Sequence, residues 1–189
     1  MEGFMFESKN PALIIVDVQD AIDCFSDHER NNVNAEEIMA TMLASWRSSG
    51  LSVVHVRHSS TSESSPYHSS SEHFSFKSQV LPATTEHVVT KRENCAFIDT
   101  DLKQFLSEHG VSELVVCGVL TNNSIDATVR IARALGFKVF VPHDATAAFA
   151  LDLLNGKHLS ADDVHWTFLS NLDNEYCTVC SSSEVLSCV

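Results

Sequence analysis

The feature that most constrains the fold is the alternation of short, continuously apolar segments with longer segments that have helical spacing. The apolar segments, which we predict to be strands, cover residues 12–16, 51–56, 86–90, 114–119, 137–141 and 176–180. Unbroken apolar runs are typical of strands that are covered on both faces. They therefore predict a buried, parallel sheet.

Four segments between these strands have the apolar spacing of helices, and they cover residues 34–48, 99–108, 122–135 and 160–172. Gly50, Gly110 and Gly136 follow the first three segments as stop signals, and Ser160 opens the fourth as a cap. Strands alternating with helices, joined by right-handed crossovers, predict the α/β class. We expect a three-layer α/β/α sandwich with a mostly parallel, six-stranded sheet.

The chain has 189 residues, and we expect residues 1–189 to form one domain. Its 12 Lys and Arg residues against 25 Asp and Glu residues give a net charge of −13. A surface this negative repels phosphate backbones and anionic lipid, so we expect neither nucleic acid nor a membrane as partner. Residues 1–7 lack a basic stretch followed by an apolar one, which favours a cytoplasmic location and leaves unconventional secretion open.

The six cysteines predict reduced thiols rather than disulfides. Cys177 and Cys180 form a C-x-x-C pair, but no second such pair exists to complete a zinc site. On a strand, residues three apart point to opposite faces, so these two thiols should not converge. A Ser-rich segment, residues 59–71, predicts a mobile loop. A solvated loop is favoured, with a lid or a subunit contact as the alternative.

Polar side chains follow several predicted strands, at the edge where parallel sheets bind ligands. Asp17 ends the first strand, Lys91 follows the third, and Ser124 follows the fourth at a predicted helix start. Asp17 is suited to general acid or base chemistry, Lys91 to stabilising negative charge, and Ser124 to acting as a nucleophile or holding an oxyanion. The alternatives are a cap or ion pair for Asp17, an exposed lysine for Lys91 and a helix cap for Ser124.

The sequence around these residues resembles the isochorismatase-like hydrolases, also called the cysteine hydrolase superfamily. The resemblance covers nearly the whole chain, and the residues that carry it are ALIIVDVQ (12–19), TKRENCAF (90–97) and CGVLTNNSIDAT (117–128). It implies a catalytic acid at Asp17, a lysine at Lys91 and a cysteine nucleophile at the position of Ser124. It also implies a cis peptide, most plausibly between Val119 and Leu120.

With this resemblance we expect a small-molecule substrate bound by Gln19, Phe97, Leu120, Thr121 and Asn123. No cofactor is predicted. Family members that hydrolyse nicotinamide carry Asp-x-His after the second strand, whereas this chain has Arg57-His58-Ser59, so we predict no metal. The resemblance further implies self-association as a dimer or tetramer.

The chain departs from the family pattern at Ser124. Three explanations stay open: an engineered Cys→Ser replacement, a true serine nucleophile with Asp17 as its base, or chemistry that needs no nucleophile. The isochorismatases themselves also lack the cysteine. The sequence slightly favours their reaction, hydrolysis of the vinyl ether of isochorismate to a dihydroxy-dihydrobenzoate and pyruvate with Asp17 as general acid. Amide or carbamoyl hydrolysis is a close second, and an inactive small-molecule-binding protein is the third alternative.

Overall fold

The computed structural model of the chain describes residues 5–189. The expectation about residues 1–7 therefore lies partly outside the described residues. The strands are β1 (Ala12–Val16), β2 (Val53–His58), β3 (His87–Lys91), β4 (Glu113–Val119), β5 (Lys138–Pro142), β6 (Thr146–Ala147), β7 (Leu151–Asp152), β8 (His158–Leu159) and β9 (Thr178–Cys180). The α-helices are α1 (Ala35–Ser48), α2 (Leu102–Glu108), α3 (Asp126–Ala134), α4 (Ala161–Leu172) and α5 (Ser182–Leu186).

The central sheet has seven strands in the order β3-β2-β1-β4-β5-β9, with the short β6 paired to β4. All of its strand pairs are parallel. The predicted α/β class and the mostly parallel sheet are confirmed, and β6 is the strand that the sequence pattern does not predict. β7 and β8 form a separate antiparallel pair.

Helices cover both faces of the sheet, because successive strand residues point to opposite sides. Ile14 of β1 packs in the core that includes residues of α2, α3 and α4. Leu13 and Ile15 pack on the other face, with residues of α1 and α5. Burying each such side chain contributes about 1.5–3 kcal/mol, so hydrophobic packing on two faces holds the three layers together.

The two thiols of the C-x-x-C pair lie on opposite faces, as predicted. Cys177 belongs to the core on the α3 side, and Cys180 belongs to the core on the α1 side. All six cysteines are free. Among residues 5–189, none of the helices has the length and apolar character needed to cross a bilayer.

Two predicted helices begin later than their sequence patterns suggest. The helix predicted from residue 99 starts at Leu102, because Asp99 has a φ of 52°, which a right-handed helix does not allow. The helix predicted from residue 122 is wound at first as a π-helical turn, Thr121–Ile125, and becomes α-helical only at Asp126. The α5 helix, opened by a capping box between Ser181 and Glu184, is not predicted.

The chain order reverses at β1. This strand pairs with β2 on one side and with β4 on the other, so the crossovers that follow run outward in opposite directions. A crevice opens at such a point beyond the carboxyl ends of the two strands. The residues that follow β1 and β4 therefore face each other across it.

Candidate active site

Asp17, Lys91 and Ser124 meet in this crevice. Lys91 Nζ lies 2.7 Å from Asp17 Oδ2, and Ser124 Oγ donates a hydrogen bond of 2.6 Å to the same oxygen. Lys91 Nζ also donates to Ser124 Oγ over 3.2 Å. The structure thus brings the three predicted catalytic side chains into mutual contact, although they come from three separate parts of the chain.

Asp17 is held in an unusual backbone conformation, with a φ of 58°, directly after β1. Its side chain is buried, and Oδ1 is also buried and has no hydrogen-bond partner within the described chain. Burial raises the pKa of the Asp17 carboxyl, while the Lys91 ammonium and the Ser124 hydroxyl act against this rise. One carboxylate oxygen is therefore bound by the protein, and the other is left for a ligand or a proton.

Lys91 is a fully buried cation whose three N–H donors all have acceptors. Besides Asp17 and Ser124, its ammonium donates to the backbone oxygen of Glu93 over 3.1 Å. Only 1% of the residue is exposed. A buried lysine with three fixed partners keeps one position, so it can hold negative charge that develops on Ser124 Oγ.

Ser124 is presented by the π-helical turn Thr121–Ile125, which follows a cis peptide between Val119 and Leu120. The cis peptide lies where the resemblance places it. Gly118 lets the strands approach before this turn, because a Cβ at this glycine would collide with the carbonyl oxygen of Val16. A larger residue at position 118 would thus push β4 away from β1 next to Asp17.

A cavity of about 380 Å³ lies over Asp17 and Ser124. Its walls are mainly apolar and aromatic, with a few polar groups. The other lining residues are Ile22, Phe25, His28, His58, Ser65, Tyr67, Asn94, Val119, Leu120, Asn123 and Phe149. A cavity of this size and character fits a small organic molecule.

Two of the five residues predicted to bind the substrate, Leu120 and Asn123, line this cavity. Gln19 is fully buried instead. Its amide accepts from His58 N over 2.8 Å and donates to the backbone oxygens of His58 and Phe74 over 3.2 and 3.0 Å. Gln19 therefore fixes the backbone around the site rather than facing the cavity.

Phe97 and Thr121 also point away from the cavity. The Phe97 ring packs against the hydrophobic core and lies 5.8 Å from the ring of Phe137. The Thr121 hydroxyl lies 2.9 Å from Nδ1 of His165, a buried residue of α4. Burial lowers the pKa of His165, which keeps this imidazole neutral as a hydrogen-bond partner.

The Ser-rich segment contributes to the cavity, whereas the sequence favours a solvated loop and gives a lid only as the alternative. Ser65 and Tyr67 line it, so the prediction of a solvated loop does not hold for these two residues. Backbone hydrogen bonds fix the segment: Ser59 N donates to Lys91 O over 2.8 Å, and Ser60 N donates to Tyr67 O over 3.0 Å. A tyrosine after a proline in a polar loop is the one sequence signal that could have indicated this wall.

Histidines around the site do not form a metal cluster. Within residues 5–189, no group of three or more His, Cys, Asp or Glu side chains is placed to hold a metal ion. His143 is not among the residues that line the cavity, and its ring lies 5.2 Å from that of Trp166. Two histidines, His28 and His58, line the cavity together with Asp17.

Comparisons with known proteins find relatives over nearly the whole chain. Residues 11–183 match the isochorismatase domain. A crystal structure of a hydrolase of the isochorismatase family from Chromobacterium violaceum is 41% identical, with a TM-score of 0.96 over 99% of this chain and 97% of that one. YrdC of Bacillus subtilis, an uncharacterised isochorismatase family protein, is 36% identical over 93% of this chain and 94% of that protein. A streptothricin hydrolase of Streptomyces noursei is 36% identical over 73% of this chain and 50% of that protein.

Proposed function

The chain belongs to the isochorismatase family of hydrolases, and we propose that it hydrolyses an amide or carbamoyl bond of a small, uncharged molecule with Ser124 as nucleophile. The observation that carries this proposal is the hydrogen bond of 2.6 Å from Ser124 Oγ to Asp17 Oδ2. A nucleophile needs a base within hydrogen-bond reach, and this contact supplies it.

The first half of the reaction forms an acyl-enzyme. Ser124 Oγ bonds to the acyl carbon while its proton passes to Asp17, and Lys91 Nζ stabilises the negative charge on the reacting oxygens. The tetrahedral intermediate then loses its amine, which takes the proton from Asp17 as the C–N bond breaks. An acyl group remains on Ser124.

The second half returns the enzyme to its starting state. Water attacks the acyl carbon and gives a proton to Asp17, and the bond between the acyl carbon and Ser124 Oγ then breaks. Asp17 returns its proton to Ser124, and a carboxylic or carbamic acid leaves. Because burial raises the pKa of Asp17, this carboxylate is a stronger base than an exposed one.

The charge of the cavity supports an uncharged substrate. Among the described residues that line it, Asp17 is the one carboxylate and there is no Lys or Arg. Lys91 lies beneath the cavity and is already paired with Asp17. A dianion such as isochorismate would bring two carboxylates into a cavity whose wall has no unpaired cation. Desolvation of these carboxylates without a compensating charge is unfavourable.

Vinyl-ether hydrolysis is the second candidate, and one observation favours it. The raised pKa of Asp17 lets this carboxyl keep a proton and deliver it to the enol-ether carbon of isochorismate, after which water adds. In that reaction the Ser124 hydroxyl would only orient groups. Replacing Ser124 by Ala should then leave turnover largely intact, whereas amide hydrolysis should be lost.

Trapping of the acyl-enzyme tests the leading proposal. The protein is mixed with 4-nitrophenyl acetate, quenched with acid and digested, and we expect an acetyl group on the peptide that contains Ser124. The Ser124→Ala variant should show none, the Ser124→Cys variant should react faster, and Ser107→Ala, at an exposed position of α2, should behave as the wild type. Acetylation that persists in Ser124→Ala would exclude Ser124 as the nucleophile.

Assays with a panel of small amides and with isochorismate show whether the chain is an enzyme or a binding protein. Turnover of an amide that is lost in Ser124→Ala supports the leading proposal, and turnover of isochorismate alone supports the second candidate. Tight binding of a small molecule without turnover of any compound would support the third alternative, a catalytically inactive binding protein.

We also propose that the chain self-associates and acts in the cytoplasm on its small-molecule substrate. The resemblance to this family supports self-association, and Val33, Leu154 and Trp166 are exposed apolar side chains that a partner subunit could cover. The six unbridged cysteines fit a reducing compartment. Light scattering should give a dimer or tetramer, and a thiol titration of the unreduced protein should find six thiols per chain.

A further inference from the structure

We propose that His58 and Tyr67 select the substrate by hydrogen bonding to an uncharged polar group that it carries. The inference rests on the proposed function only in taking the cavity over Ser124 as the substrate site. It assigns a role to the Ser-rich segment, which brings Tyr67 to the cavity.

His58 is fixed in the cavity wall through its backbone. It is the last residue of β2 and lies in register with Lys91 of β3. Its N–H donates to Gln19 Oε1 over 2.8 Å, and its carbonyl oxygen accepts from Gln19 Nε2 over 3.2 Å. These two hydrogen bonds fix the backbone of His58, and the His58 ring packs against the ring of Tyr67.

The imidazole of His58 has no hydrogen-bond partner among the described residues. Nδ1 is buried without any partner, and Nε2 makes no hydrogen bond within residues 5–189. Leaving a buried polar group unpaired costs free energy, so buried histidines normally find a partner. An imidazole that lines a cavity and lacks a partner is therefore suited to bind a polar atom of a ligand.

Tyr67 stands beside His58 and is held as firmly. Its ring packs edge-on against the His58 ring at 5.9 Å and is stacked on Phe25 at 6.5 Å. Its backbone is bonded within the Ser-rich segment, to the amide N–H of Ser60 and to the hydroxyl of Ser65. Within residues 5–189 the phenol O–H makes no hydrogen bond, and Tyr67 lines the cavity, so this O–H can meet a ligand.

Both polar groups are uncharged at neutral pH. Burial, and then the Lys91 ammonium, lowers the pKa of His58, while Asp17 and Glu93 act in the opposite direction. Burial, and then Asp17, raises the pKa of Tyr67. A neutral imidazole and a phenol offer donors and acceptors to a hydroxyl, carbonyl or amide, but neither supplies the positive charge that a carboxylate needs.

The remaining walls favour a ligand with a planar ring. Phe149 lies 6.2 Å from Phe25 and 5.6 Å from His28, so three rings of the cavity wall lie next to one another. Stacking and edge contacts with such rings favour flat, apolar groups. The structure therefore points to a small ring compound that carries an uncharged hydrogen-bonding group.

Benzamide and benzoate test this selectivity, since they share a shape and differ in charge. Their binding is measured by titration calorimetry on the full chain carrying Ser124→Ala, which prevents turnover. We expect benzamide to bind at least tenfold more tightly than benzoate. Tyr67→Phe and His58→Phe should each weaken benzamide binding by about five- to tenfold. Tyr176→Phe makes the same chemical change near Arg130, away from the cavity, and should leave the affinity unchanged.

Three results would overturn the inference: benzoate binding as tightly as benzamide, no measurable benzamide binding at millimolar concentration, or wild-type affinity in both cavity variants. A second measurement leaves His58 and Tyr67 unchanged in the protein that binds benzamide. The His58 ring-nitrogen resonances are assigned in the ¹⁵N-labelled Ser124→Ala chain as those that are missing when His58→Asn is added. Benzamide should shift these resonances, and benzoate should not. If Ser124 is not acylated but benzamide binds in this way, the proposed function fails and the assignment of His58 and Tyr67 stands.

Discussion

Ser124 Oγ and Asp17 Oδ2 are joined by a hydrogen bond of 2.6 Å across 107 positions of the sequence. Lys91 contacts the same carboxylate oxygen, with its Nζ 2.7 Å away. Within residues 5–189 one oxygen of Asp17 serves both partners and the other has none, so the proposed proton transfer has a defined donor and acceptor. The proposed catalytic role of Asp17 can therefore be tested without altering either partner.

Asp17→Asn should abolish turnover and leave the chain folded. An amide can still accept a hydrogen bond from Lys91, but it cannot take the proton of Ser124, so the rate should fall by about 100-fold or more. The measurement is kcat/KM for 4-nitrophenyl acetate, together with a circular dichroism melt. Asp27→Asn, at an exposed position, makes the same change outside the site and should keep full activity. Full activity in Asp17→Asn would exclude its catalytic role.

Gly118 should be far less tolerant of substitution than Gly136. Both residues have a positive φ, of 122° and 97°. A Cβ at Gly118 would meet the backbone of Val16, whereas a Cβ at Gly136 would have nothing within 4 Å. We expect Gly118→Ala to lower the free energy of unfolding by about 3 kcal/mol or more, and Gly136→Ala by about 1–2 kcal/mol. Urea denaturation measures both, and equal losses would contradict the close approach of β4 to β1.

The Thr121 hydroxyl should matter for stability through His165. Thr121→Val keeps the shape of the side chain but leaves a buried nitrogen of His165 without its partner at 2.9 Å. We expect a loss of about 1–3 kcal/mol in the free energy of unfolding, with Thr121→Ser close to the wild type because it keeps the hydroxyl. If Thr121 instead contacts the substrate, Thr121→Val should raise KM without lowering the melting temperature.

Glu86 should stabilise the fold in a pH-dependent way. Burial alone would raise its pKa, but hydrogen bonds from Arg47, Ala83 N and His55 together lower it to about 2. A carboxyl with a depressed pKa stabilises the fold above the pKa of the unfolded chain, and this contribution is lost as the pH falls from about 4.5 towards about 2. Glu86→Gln should therefore be less stable than the wild type at neutral pH, and the difference should shrink as the pH approaches 2.

Urea unfolding curves over this pH range measure the difference. Glu63→Gln, at an exposed position in the Ser-rich segment, is the matched control and should follow the wild type at every pH. A gap between wild type and Glu86→Gln that stays constant with pH would show that the ionised carboxylate is not what stabilises the fold.

The meeting of the three proposed catalytic side chains can be predicted from the sequence because it depends on topology. Asp17, Lys91 and Ser124 each follow or end a parallel strand, and the carboxyl ends of such strands meet at one edge. The periodicity of the apolar segments determines the strands, and β1 occupies the range predicted for it, Ala12–Val16. The class of the fold and the placement of these three residues follow from the same pattern.

Side-chain direction near the site cannot be predicted in this way. Gln19, Phe97 and Thr121 lie close to the catalytic residues in sequence, but each is engaged by a distant partner: the His58 backbone, the Phe137 ring and the His165 imidazole. Tyr67 reaches the cavity because the Ser-rich segment folds back on itself. Such contacts join residues that no local pattern connects, so they become visible only in three dimensions.

The pH dependence of the rate should separate the two candidate reactions, because each needs Asp17 in a different state. Burial raises the pKa of this carboxyl above its ordinary value of 3.8. As the base for Ser124 it must be ionised, so amide hydrolysis should slow as the pH falls through the raised pKa. As the general acid for a vinyl ether it must be protonated, so isochorismate hydrolysis should slow as the pH rises through it.

We measure kcat/KM for an amide and for isochorismate as a function of pH, from below to above that pKa. The two profiles show whether each rate falls with falling pH or with rising pH. The pKa of His58 is lowered from 6.5 while that of Asp17 is raised from 3.8, so the two shifts run towards each other, and a His58→Asn variant separates the two groups. If Asp17 is the base, kcat/KM of His58→Asn for the amide still falls at low pH, which is the acid limb of the profile. The reason is that an ionised carboxylate is still needed to accept the proton of Ser124. An acid limb that disappears with His58 would transfer the role of base from Asp17 to the imidazole in the cavity wall.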